Sequence, residues 1–194
     1  MSPPKLMETS VKRVVVFGSG RWARVYLKTL IQLTKRDVEI VCYSVFGYES
    51  LCRWRQENNL CERFIITKDK PLSFLGRKTV AIICNAASLH YETTMWLLKH
   101  NIPVLVEKPF CMSGTQMADV QRFSKIKKTN VFSAEVFRFT SYLARLRIFL
   151  NSLTDISQID FCWLDKKNDF RHGEISNYDT SVPVYKDCLP HLFS

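Results

Sequence analysis

Residues Val14–Ala23 read Val-Val-Val-Phe-Gly-Ser-Gly-Arg-Trp-Ala, and the reading of this stretch decides the fold. Val14–Phe17 is apolar and mostly β-branched, which predicts a strand buried on both faces. Gly18-Ser19-Gly20 interrupts it, and a helical pattern resumes at Arg21 or Trp22. Strand, glycine turn and helix, in that order, are the setting that a G-x-G-x-x-G/A fingerprint requires. Gly18 permits the tight turn, Gly20 leaves the backbone bare for a pyrophosphate to approach, and Ala23 lets the helix pack close to the strand. The unpaired amides and the positive end of that helix then face the phosphates. The competing reading is a glycine-rich turn with no ligand.

Working outward from this turn, the chain alternates. Residues Trp22–Lys35 carry Val25, Leu27, Leu30, Ile31 and Leu33 on a helical stripe. Val38–Phe46 reads as a second strand, Glu49–Asn58 as a helix and Phe64–Ile66 as a short third strand. Leu72–Gly76 reads as a short helix and Val80–Cys84 as the fourth strand. Ser88 is placed to cap a helix that runs to Lys99. Pro103–Val106 is the fifth strand, Ser113 caps a helix to about Lys127, and Val131–Val136 is the sixth strand. Such β-α alternation predicts an α/β fold with a doubly wound parallel sheet and right-handed crossovers. Residues 1–137 are expected to form this dinucleotide-binding Rossmann domain. Residues 138–194 are expected to begin an α+β second domain, with a helix over Phe139–Asn151 and a strand over Ile156–Leu164. Phe149, Leu150, Ile159, Phe161 and Trp163 would then expose apolar surface, open to self-association.

Composition narrows the function. At 46% hydrophobic residues the chain can bury a full core. No apolar run reaches transmembrane length and the N-terminus has no apolar leader, so no membrane partner is expected. The seven cysteines are scattered without a C-x-x-C pair, against both a disulfide framework and a zinc site; no metal is expected, and the reducing cytoplasm fits. The net charge of +10 is spread over Lys35-Arg36, Lys68, Lys70, Lys125–Lys128 and Lys166-Lys167 rather than collected on one element, so nucleic acid is not expected as a partner.

In sheets of this type ligands bind beyond the carboxyl ends of the strands. Gly18, Ser44, Asn85 and Glu107 follow strands one, two, four and five. An acid ending strand two would accept bonds from the ribose 2′-OH of NAD. Cys42-Tyr43-Ser44-Val45 offers Ser44 instead, which would not repel a 2′-phosphate, so NADP(H) is expected over NAD(H).

Two further segments, Val80–His90 (Val-Ala-Ile-Ile-Cys-Asn-Ala-Ala-Ser-Leu-His) and Val104–Phe110 (Val-Leu-Val-Glu-Lys-Pro-Phe), follow the fingerprint. Together with Asp187-Cys188-Leu189-Pro190-His191 they make the chain resemble the Gfo/Idh/MocA family of NAD(P)-dependent oxidoreductases, most specifically through Glu107-Lys108-Pro109. The resemblance implies a Rossmann domain followed by an open antiparallel sheet. It also implies hydride transfer to or from a small carbonyl, sugar, polyol or imine substrate. Asn85-Ala86 departs from the family's Thr-Pro, and the chain stops three residues after His191, which reads as a second domain only begun.

Hydride transfer to a C=O or C=N carbon leaves negative charge on the heteroatom, which a proton donor must meet. Lys108, at the end of strand five where the nicotinamide is expected, can polarise or protonate the substrate. His191 is the better proton shuttle by its intrinsic pKa, and Asp187 four residues earlier could orient it or pair with Lys108; the two read equally as an N-cap aspartate and an ordinary surface histidine. The cofactor-binding set is Gly18, Ser19, Gly20, Arg21, Trp22, Ala23, Ser44, Asn85, His90, Glu107 and Lys108. His90 reads equally as a nicotinamide-orienting residue or a satisfied structural histidine, and Trp22 as a cofactor flank or a packing residue. Two other classes stay open. One is a non-catalytic NAD(P)-binding protein. The other is an S-adenosylmethionine methyltransferase, disfavoured because Phe17 and Ser44 stand where that class carries acids.

Overall fold

The computed structural model describes residues 11–158, 160, 170–171, 174–175 and 182. The elements run β1 (Arg13–Phe17), α1 (Arg21–Leu33), β2 (Glu39–Tyr43), α2 (Tyr48–Glu57), β3 (Ile65–Thr67), β4 (Thr79–Ile83), α3 (His90–Lys99), β5 (Val104–Val106), α4 (Gly114–Lys127), β6 (Val131–Ser133) and α5 (Ser141–Asn151). A short antiparallel pair, β7 (Phe170–Arg171) and β8 (Glu174–Ile175), follows. The first six strands form one sheet in the order β3-β2-β1-β4-β5-β6, parallel at every pairing. The chain winds outward from β1 to β3 and returns across β1 to β4. The reversal between β1 and β4 opens a crevice at the carboxyl edge.

Alternate side chains of each strand enter different cores, as the pleat dictates. Val14, Val16, Ile40, Cys42 and Ile82 pack against Ala23 and Leu27 of α1 and Leu51 of α2. Val15, Phe17, Val41, Ala81, Ile83, Val104 and Val106 pack against Leu97 of α3. Burial on both faces explains why β1 reads as an uninterrupted apolar run. Ala23 is fully buried, which brings α1 close to the sheet.

Several expected boundaries shift, each for a local reason. β2 ends at Tyr43, because the Ser44 amide still donates to Thr67 O (3.1 Å) and the chain then leaves the sheet. Val45 and Phe46 therefore lie on the surface. Ser88 is not the cap of α3. It falls inside a 3-10 turn, Ala87–Leu89, and α3 begins at His90. The Ser113 hydroxyl does cap α4, accepting from the Gln116 amide at 3.2 Å. The Leu72–Gly76 helix is a 3-10 turn over Leu72–Phe74. β6 ends at Ser133, and a 3-10 turn over Val136–Phe139 separates it from α5. No residue of α5 is buried, and Phe149 is 58% exposed. Residues 156–158 are not in a strand. Asp160 is likewise outside any strand, and Ile159 and residues 161–164, including Phe161 and Trp163, lie outside the described residues.

Candidate functional site

Hydrogen bonding continues one residue past the ends of the strands. The Gly18 amide donates to Tyr43 O (3.0 Å), that of Cys84 to Phe17 O (2.9 Å) and that of Glu107 to Ile83 O (2.8 Å). The loops after β1, β2, β4 and β5 thus leave a common edge.

The two glycines of the first loop differ. Gly18 has φ +131°, and a Cβ there would stand 2.7 Å from the Cys84 carbonyl oxygen. Its backbone and its neighbour both require glycine. Gly20 is extended (φ −70°, ψ −173°), a conformation open to any residue, and a Cβ there would meet nothing within 4 Å. Among the described residues neither the fold nor packing requires glycine at position 20. Gly20 is exposed and is the N-cap of α1, with no side chain capping the helix. The first amides of α1 therefore lack a side-chain cap at an open turn. Among the described residues Arg21 Nη1 is buried with no hydrogen-bond partner. The Arg21 guanidinium lies over the Trp22 ring (5.6 Å to the centroid), and Trp22 packs on the α1–α2 core. Beneath the turn the Cys42 thiol donates to Gly18 O at 3.1 Å, and burial pushes that thiol up to about 12, keeping it a donor.

At the end of β2, Ser44 is buried and Gly47 opens α2. A Cβ on Gly47 would lie 1.8 Å from Ser19 Oγ and 3.5 Å from Ser44 Oγ, so the glycine turn, β2 and α2 meet at one corner. Phe46, between them, is fully exposed.

At the end of β4, Asn85 donates through Nδ2 to Thr93 Oγ1 (3.2 Å), while its Oδ1 is buried without a partner among the described residues. His90 is fully buried, with Nδ1 2.9 Å from Pro109 O and Nε2 3.1 Å from Asn85 O. It ties the loop after β4 to the loop after β5. In this geometry both ring nitrogens face main-chain carbonyls.

After β5, Glu107 is 5% exposed. Its Oε1 accepts from the Tyr26 hydroxyl of α1 (2.7 Å) and its Oε2 from the Lys108 amide (3.1 Å). Burial raises the Glu107 pKa against the opposing pull of these two bonds. Burial, and then the Glu107 charge, raise that of Tyr26. Lys108 is half-buried, and its peptide to Pro109 is cis. Asp187 and His191 lie outside the described residues.

Sequence reasoning missed Tyr26, Arg24, Phe46 and Cys42. For Tyr26 a signal existed: it lies three residues after Ala23 on α1, on the side that faces the sheet. Among the described residues no group of three His, Cys, Asp or Glu could hold a metal, and no helix is long and apolar enough to cross a membrane.

A six-stranded parallel sheet in this order, with a glycine turn at the reversal, defines the class of Rossmann dinucleotide-binding proteins. Residues 12–135 match the Gfo/Idh/MocA model, described as an oxidoreductase family with an NAD-binding Rossmann fold. The chain belongs to that family. Its fold is shared with UDP-N-acetylglucosamine 3-dehydrogenase GnnA from Acidithiobacillus ferrooxidans, at TM-score 0.58 and 14% identity over 71% of this chain and 42% of that one. A Gfo/Idh/MocA family oxidoreductase from Vibrio cholerae gives TM-score 0.58 and 18% identity over 72% and 43%. An NAD-binding protein from Listeria innocua gives 0.59 and 15% over 75% and 41%. The chain thus spans about two-fifths of the length of these structures. No curated protein matches it.

Proposed function

We infer that residues 1–137 bind a nicotinamide dinucleotide, NADP(H) in preference to NAD(H), and serve an oxidoreductase acting on a small carbonyl, sugar, polyol or imine. The observation that carries this reading is the contrast between the two glycines. The fold accounts for Gly18 and leaves Gly20 unexplained, and a ligand that needs bare backbone at Gly20 explains it. The orphaned polar atoms fit the same group. Arg21 Nη1 and the first amides of α1 are donors for a pyrophosphate, with Ser19 beside them. Asn85 Oδ1 is an acceptor for a ribose hydroxyl or a carboxamide. Ser44, standing where an acid would select NAD, supports NADP. Phe46 offers a flat apolar face to the adenine.

When bound, the cofactor supplies or accepts the hydride. Lys108 leaves β5 beside Glu107, whose carboxylate is fixed by Tyr26 and by the Lys108 amide. Its ammonium can hydrogen-bond the substrate heteroatom and stabilise or quench the charge that develops there. Asp187 and His191 are retained in this reading as the orienting carboxylate and proton shuttle, carried by residues 138–194 as a second domain. That segment is also where self-association is expected, α5 having no buried residue. A cytoplasmic location and the absence of nucleic-acid partners complete the reading.

Fluorescence titration of the purified chain with NADPH and NADH tests it. Saturable binding with NADPH tighter supports the proposal, and failure to bind either overturns it. Binding without turnover of any sugar or carbonyl would identify a non-catalytic binding protein.

A further inference from the structure

The corner where α1 meets α2 carries an arginine that the fingerprint does not include. Arg24 lies one turn into α1, its amide bonded to Gly20 O at 3.2 Å. Its side chain crosses to the first turn of α2, where Nη2 donates to Ser50 Oγ at 2.8 Å. The guanidinium also lies over the Trp54 ring, 5.8 Å from the centroid. Lys28, a turn further along α1, shares that ring at 5.5 Å. Ser50 stands three residues after Gly47, which is wedged against Ser19 and Ser44. A cation on α1 therefore reaches the first turn of α2, three residues beyond the glycine that packs against Ser19 and Ser44. In this fold that corner receives the 2′ substituent of the adenosine ribose. The acid of that helical turn, Glu49, is ion-paired with Lys68 Nζ at 2.9 Å.

The geometry points to Arg24 as the residue that reads the 2′-phosphate. This inference rests on the NADP preference proposed above and names the side chain responsible. A guanidinium presents a planar fork that matches two phosphate oxygens, and the Trp54 ring lies within cation–π range of it. Its bond to Ser50 is to a neutral, exposed hydroxyl. Ser44 and Ser19 supply hydroxyl donors at the same corner. No arginine stands in the loop directly after Ser44, the next being Arg53 and Arg55 on α2, and Arg24 approaches from the neighbouring helix instead.

The test uses the full chain and its Arg24→Met and Arg24→Lys variants, titrated with NADPH, NADH, 2′-AMP and 5′-AMP, with thermal melting to verify folding. Arg24→Met is expected to weaken NADPH and 2′-AMP about ten- to a hundredfold while NADH and 5′-AMP change less than about twofold. Arg24→Lys, which keeps the charge and loses the fork, should fall between. If the unmodified chain binds NADH as tightly as NADPH, the underlying NADP reading fails, whatever the variants do. If the unmodified chain prefers NADPH and Arg24→Met keeps that preference, or weakens both cofactors equally, the assignment of Arg24 is overturned while the NADP reading stands.

Discussion

Replacing Gly20 by Asp should make the protein more stable and unable to bind its cofactor. The backbone at Gly20 is already extended and a Cβ meets nothing within 4 Å, so the substitution introduces no strain. Position 20 is the N-cap of a thirteen-residue helix with no acid in its first turn. A carboxylate there accepts from the free amides, which is worth a few tenths of a kcal/mol over glycine at a cap. It complements the helix dipole by about 0.3–1 kcal/mol, and loss of glycine's freedom in the unfolded chain adds about 0.4–1 kcal/mol. A net gain of about 1 kcal/mol should raise the melting temperature by about 2–4 °C for a chain of this size. The same carboxylate would stand where the pyrophosphate approaches. Two unit charges 4 Å apart repel by about 4 kcal/mol at an effective dielectric of 20, enough to weaken binding more than a hundredfold. Gly18→Ala provides the contrast. At φ +131° and 2.7 Å from a main-chain oxygen it should cost roughly 1–3 kcal/mol of stability before any ligand is added. Thermal melts without ligand and fluorescence titration with NADPH measure both effects. If Gly20→Asp melts higher yet binds NADPH within about threefold of the unmodified chain, nothing approaches Gly20 and the reading of the turn is wrong.

Three further outcomes follow from the same edge of the sheet. Ser44→Asp should weaken NADPH by roughly 1–3 kcal/mol through repulsion of the 2′-phosphate, and NADH far less, in the same titration. Lys108→Met should lower turnover by a few kcal/mol of barrier, far more than it lowers NADPH affinity; parallel losses in rate and affinity would make Lys108 a binding residue. Glu107 has its pKa raised by burial above its ordinary 4.5, so the folded chain holds the proton more tightly than the unfolded one. The stability this gives is complete below the unfolded pKa and is lost as pH rises through the folded one. Urea unfolding across that window should show the decline in the unmodified chain and a flatter profile in Glu107→Gln; parallel profiles would refute it.

The order of the elements was legible because the periodicities are local. Val14–Phe17 is apolar at every position since both faces of β1 are covered, and Ser113 announces α4 because a cap is satisfied three residues away. Misreadings arose where apolar character and secondary structure part. Val45 and Phe46 extend the run of β2 in sequence but are exposed, and Ser88 resembles a cap although the chain makes a 3-10 turn there. The candidate site was legible where it is a motif, at Gly18–Ala23 and Glu107–Pro109. It was illegible where it is a meeting of distant residues. Tyr26 and Glu107 are 81 positions apart, Arg24 and Ser50 26 apart, and His90 and Pro109 19 apart. No window of sequence contains such pairs.

The close approach of Ser19 to Gly47 joins the glycine loop to the loop after β2. Because any side chain at position 47 would collide with Ser19, the glycine loop and the loop after β2, proposed above to hold the pyrophosphate and the ribose substituent, share one volume. A change of cofactor made only in the segment after β2 would displace the first loop along with the second. Residues 19 and 44–47 should therefore be exchanged as a unit when the specificity of this protein is redesigned. Between homologues they should drift together, the bulk gained by one loop being surrendered by the other.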